Sequence, residues 1–158
     1  MGAHPGAKEG LLFERIIVGT DGSETAAEAV RQATELARAT GAKLDIISAY
    51  EPVPAARLRE ESGEIPGDVA HAVGPREDVN VILEGAAGPA QEAGVEVTTH
   101  AREGDPADAI LDVAEEIKAS VIVVGNKGMT GARRFLLGSV PNKISHHAPC
   151  SVYIARTT

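Results

Sequence analysis

Short apolar runs alternate with stretches of helical periodicity along almost the whole chain, and that order leaves few folds open. Arg15-Ile-Ile-Val-Gly19 is a buried strand that ends in the turn residues Gly19-Thr-Asp-Gly-Ser23. Ala26, Ala29, Val30, Ala33, Leu36 and Ala37 then recur at helical spacing, with Ser23 or Thr25 as N-cap and Gly41 as the stop. Leu44 to Tyr50 is a second strand, and a helix over about 76–93 is interrupted in pattern by Gly85, Gly88 and Pro89. Val95 to His100 alternates as a strand. Asp105-Pro106 opens the next helix, whose predicted inner face is Ile110, Leu111, Ala114 and Ile117. Ser120 to Gly125 is the clearest strand, Ser139 starts a last helix, and Cys150 to Ala155 is the final strand. Strands separated by helices imply parallel pairing through crossovers, hence an α/β fold with a doubly wound, five-stranded, mainly parallel, Rossmann-like sheet. Residues 1–13 are expected to form a flexible tail before a single domain over 14–158, with a loop at 51–75 long enough to need a use.

In such sheets a ligand sits beyond the carboxyl ends of the strands, where the strand order reverses. That rule selects Gly19–Ser23, Ala49–Glu51 and Gly125–Ser139. The last of these reads Gly125-Asn-Lys-Gly128, then nine residues, then Gly138-Ser139. Glycines let main-chain N–H groups approach an anion closely, and the helix starting near Ser139 offers free N–H groups and the positive end of its dipole. Charge agrees with this. The net charge is −8, from 15 basic and 23 acidic residues, which argues against a nucleic-acid or anionic-membrane binder. Yet beyond Glu116 the chain carries six basic residues and no acid, and Lys127, Arg133 and Arg134 fall inside the glycine-marked loop. A P-loop is absent because no lysine followed by Ser or Thr closes a G-x4-G loop, and the first turn, Gly19-Thr-Asp-Gly22, lacks the dinucleotide fingerprint.

Val-Gly-Thr-Asp-Gly-Ser (18–23), Val-Val-Gly-Asn-Lys-Gly (123–128) and Leu-Leu-Gly-Ser-Val-Pro (136–141) together resemble the universal stress protein family. Its nucleotide-binding members carry G-x2-G-x9-G-[ST], matched here by Gly125, Gly128, Gly138 and Ser139. The resemblance spans about Glu14 to Arg156 and implies an adenine-nucleotide-alpha-hydrolase-like fold, ATP or AMP as ligand, and a homodimer. It places Gly19, Thr20 and Asp21 against the nucleotide at the end of the first strand, and Ala49 beside the adenine through its backbone. Val124, Gly125, Asn126, Gly128, Gly138, Ser139 and Val140 would surround ribose and phosphates, with Arg134 adding charge. Asp21 is expected at the ligand as a ribose, adenine or Mg²⁺-bridged contact, the Mg²⁺ being held through the phosphates. Many ATP-binding members have Ser, Thr or Arg followed by His or Arg between the first two glycines, where this chain has Asn126-Lys127. A similar version occurs in members suited to AMP or cyclic AMP, so cyclic AMP is the alternative ligand.

Other chemistry is sparse. No Ser-His-Asp order, paired carboxylate or nucleophile elbow stands out, so binding rather than turnover is expected, with a slow Mg²⁺-dependent ATPase as the enzymatic alternative. Cys150 opens an apolar strand after Pro149 and reads as a structural buried thiol, and a single cysteine agrees with a reducing compartment. His146-His147 ends the last helix, where cations are favoured by the dipole. No apolar run approaches the ~20 residues of a membrane span, and the N-terminal stretch has no secretory apolar block, so a cytoplasmic location is expected. The final strand is a predicted sheet edge, and pairing of Cys150 to Ala155 with a second copy would cover it. The function this composes is a nucleotide-dependent regulator of a stress response.

Overall fold

In the computed structural model, residues 13–51, 75–126 and 137–157 are described. Five strands, β1 (Arg15–Gly19), β2 (Lys43–Tyr50), β3 (Val97–Glu103), β4 (Val121–Gly125) and β5 (Ser151–Ala155), form one sheet in the order β3-β2-β1-β4-β5. Every adjacent pair is parallel. Among the described residues four helices connect or flank them: α1 (Glu24–Thr40), α2 (Pro75–Glu92), α3 (Pro106–Glu116) and α4 (Ser139–His147). The sheet grows outward from β1 through β2 and β3 in one direction, and from β4 to β5 in the other. The strand order therefore reverses between β1 and β4, as a doubly wound sheet requires. No described helix is long and apolar enough to cross a membrane.

Alternation along each strand divides the core into two layers. Ile16, Val18, Leu44, Ile46, Val121 and Val123 pack with Ala29, Ala33, Val79 and Leu83 from α1 and α2. Ile17, Ile47, Ile122 and Val124 face the other way, against Ile110 and Val113 of α3 and Ile144 of α4. Both faces of the central strands are thus buried, which is why they are nearly continuous runs of β-branched residues.

The helix signals act as the sequence suggests. Ser23 caps α1 by accepting the N–H of Ala26, and Gly41 ends it in the left-handed conformation. Asp105 caps α3 by accepting the N–H of Asp108, with Pro106 in the first turn. α2 runs unbroken past Gly85, Gly88 and Pro89, because Val79, Leu83, Ala87 and Ala90 bury one stripe against the sheet. Three expectations shift. β3 spans Val97–Glu103 rather than Val95 to His100, since Ala101, Arg102 and Glu103 pair in register with Ser48, Ala49 and Tyr50. The inner face of α3 is centred on Ala107, Ile110, Val113 and Ala114, with Leu111 and Ile117 only partly covered. Cys150 lies just before β5 and is half-buried, and that burial raises its thiol pKa, consistent with a packing role.

One ionic cluster went unread in the sequence. Asp45 is fully buried on β2, opposite Ile17 of β1 and Thr98 of β3, so Arg15 and His100 two residues away share its face. Arg15 donates Nε–H and an Nη2–H to the two carboxylate oxygens at 2.9 and 3.1 Å, and His100 Nε2 lies 2.7 Å from Oδ2. Burial, the largest influence, pushes the carboxyl pKa up. Hydrogen bonds from His100 and Arg15, and their charges, outweigh it and hold Asp45 below the usual carboxylate range. The cluster ties β1, β2 and β3 together away from the carboxyl ends of the strands.

Candidate functional site

Where the strand order reverses, the carboxyl ends of β1, β2 and β4 open onto a crevice of about 610 Å³, its mouth included. Gly19, Thr20, Asp21, Ala49, Val124, Gly125 and Val140, seven of the residues selected from sequence, line this one space. Asn126, Gly138 and Ser139 are its continuation rather than its lining: Asn126 follows Gly125, and its C=O accepts the N–H of Gly138, the N-cap of α4. Gly128 and Arg134, with Lys127 and Arg133, lie outside the described residues, as do most of the 51–75 and 126–137 stretches.

Local structure explains how each segment reaches the crevice. After β1 the chain stays paired for one more bond, Thr20 N–H to Ile47 C=O at 2.9 Å, and then turns. The turn is built by side chains: Thr20 Oγ1 accepts the N–H of Gly22, and Asp21 Oδ1 accepts the N–H of Ser23 at 2.9 Å. Asp21 is therefore an Asx-turn residue and a crevice residue at once. Gly22 has φ +84, a conformation that a side chain would strain. Gly19 matters differently: a Cβ there would lie 2.6 Å from Ile110 Cδ1, so any side chain would have to push aside the tip of Ile110 at the floor of the crevice.

Across the crevice, α4 presents its N-terminus. Gly138 has extended backbone (φ −64, ψ 168) and no side chain, so the first N–H groups of α4 receive no side-chain cap from it. Val140 and Pro141 from the first turn line the crevice. A helix start whose N-cap residue has no side chain, beside a glycine-bordered cleft, can accept an anionic oxygen through backbone N–H groups and the helix dipole. Apolar surface from Ala26, Ala29, Ile47, Pro106 and Ile110 lines the crevice too, and suits a flat ring. Sequence reasoning assigned these five to helix faces, a strand and a helix start. The usable signal was their position in the first turns and strand ends bordering the reversal point. The basic tail needs one revision, because Lys143 is spoken for: its Nζ lies 2.7 Å from Asp108 and 3.7 Å from Asp105, joining α4 to the start of α3.

Fold and crevice together define a domain of the doubly wound α/β class, open where its strand order reverses. A model of the universal stress protein family matches residues 12–156, and the chain belongs to that family. Universal stress protein Rv1636 of Mycobacterium tuberculosis is 37% identical over 147 residues, covering 92% of this chain and 98% of that protein. Universal stress protein MJ0531 of Methanocaldococcus jannaschii is 33% identical over 146 residues, covering 92% and 83%. Among solved structures, a universal stress protein in complex with cAMP matches with a TM-score of 0.68 at 32% identity, covering 92% of this chain and 98% of that one.

Proposed function

We propose that the crevice binds an adenine nucleotide and that occupancy, rather than turnover, is the protein's output as a stress-response regulator. The observation that carries this reading is the convergence of Gly19–Asp21, Ala49, Gly125 and Val140 on one crevice beside the glycine-capped start of α4. The ring would lie against the apolar wall, Asp21 at the ribose end, and the phosphate at the N–H groups of Ser139 and Val140. The cAMP complex of a 32% identical relative supports a single-phosphate ligand. AMP and cyclic AMP are therefore the ligands of first choice and ATP the third. β5 is a sheet edge, and Tyr153 and Ile154 on it remain about two-fifths exposed, which suits pairing with a second copy as a homodimer.

Titration calorimetry with AMP, cyclic AMP, ATP and GMP tests the reading, and saturable binding of adenine nucleotides in preference to GMP is the expected result. Phosphate release from ATP measured beside it should stay at background. Metal-dependent turnover that disappears in Asp21→Ala would replace the regulator with an ATPase.

A further inference from the structure

Asn126 is the first residue past β4, one position beyond a glycine of the crevice, and its polar groups join three parts of the chain. Its N–H donates to Ala155 C=O at 2.8 Å, and its C=O accepts the N–H of Gly138 at 3.2 Å. Its side-chain Oδ1 accepts both the N–H of Thr157, at 2.9 Å, and the Thr157 hydroxyl, at 3.0 Å. One residue thus connects the end of β4, the N-cap of α4 and the chain just past β5.

We propose that Asn126 is a positioning residue for the phosphate end of the ligand, and that Thr157, far from the crevice in sequence, is its support. The role rests on the nucleotide reading above. Gly138 has no side chain with which to anchor the start of α4, and its N–H bond to Asn126 C=O is a direct polar link between that start and the β4 end of the crevice. A peptide carbonyl keeps its direction only if its residue is held. The backbone bond to Ala155 holds one side of Asn126, and the Thr157 clasp on Oδ1 holds the other. Two donors on a single acceptor fix the side chain's rotamer more firmly than one would. The side chain is also neutral, so it supplies the acceptor without placing a negative charge beside the anion site. Asn126 therefore acts through the placement of the Ser139 and Val140 N–H groups, and its side chain is not required to touch the ligand.

The test compares AMP with adenosine, which share everything but the phosphate. In Asn126→Ala, AMP affinity should fall about tenfold while adenosine affinity holds, the loss expected when a supporting hydrogen bond goes. A chain ending at Arg156 should reproduce this loss, and the two changes combined should cost no more than either alone. Amide hydrogen exchange at Gly138 in the ligand-free protein should quicken in both variants. Unchanged exchange at Gly138, or an AMP-to-adenosine ratio unmoved in a folded variant, overturns the role of Asn126 while leaving the nucleotide reading intact. Wild-type protein that binds neither AMP nor adenosine overturns the reading of the crevice and this role with it.

Discussion

Replacing Asp45 by alanine should lower the unfolding free energy by about 3 kcal/mol, read from urea denaturation, because it strands two cationic or polar partners inside the sheet. Asp45 is wholly enclosed, whereas the Arg15 side chain keeps about a third of its surface in solvent. Water can therefore take back part of the guanidinium's hydration, which puts the loss at the low end of the range for breaking a buried pair. His100 is more enclosed and has its Nε2 aimed at the missing carboxylate. Changing all three positions to apolar residues of similar size should recover most of the loss, since the penalty comes from the orphaned partners. The pH dependence has a definite sign. The folded carboxyl titrates below its unfolded counterpart, so its contribution is complete above the unfolded value of about 4 and disappears as the pH falls through the lower, folded value. The stability gap between wild type and Asp45→Ala should accordingly close on acidification below about pH 4.

Gly138→Val is the second large effect, and it should fall on binding rather than on folding. The backbone at Gly138 lies in the extended region that valine adopts readily, so the substitution adds bulk without backbone strain. Gly138 is nonetheless buried at the entry to α4, and branched methyl groups there would stand where a phosphate must approach the helix N–H groups. AMP affinity should drop on the order of 100-fold, equivalent to one or two lost charge-assisted hydrogen bonds. Stability should change by only about 1 kcal/mol, the difference between a good and a poor N-cap residue. Calorimetry on the variant, with a urea curve as control, separates the two. AMP affinity that survives in a folded Gly138→Val protein would remove α4 from the site.

Much of this architecture is written in local signals. The apolar runs at Arg15–Gly19 and Ser120–Gly125 appear as the middle strand β1 and its neighbour β4, and Ser23, Gly41 and Asp105-Pro106 cap the helices they suggest. Those features depend on residues close in sequence. β3 was displaced because its ends are set by pairing with β2, about fifty residues earlier, and no property of Val95 or Glu103 announces that register. The Asp45 cluster was hidden for the same reason: a lone acid in an apolar strand is visible, but its partners come from two other strands. In the site, the glycine and turn residues were readable as motifs, whereas Ala26, Ala29 and Ile110 looked like ordinary helix-face residues. Only the placement of α1 and α3 over the reversal point turns them into the crevice wall.

The central claim is that an adenine nucleotide occupies the crevice between β1, β2, β4 and α4. Titration of AMP into isotopically labelled protein, followed by amide chemical shifts, tests it residue by residue. Saturable changes are expected at Gly19, Thr20, Asp21, Ala49, Gly125, Ser139 and Val140. A second hollow between α1 and α2, lined by Val30, Val81, Ile82 and Ala86, provides an internal comparison. Changes confined to that hollow, or no saturable change with AMP, cyclic AMP or ATP, would contradict it.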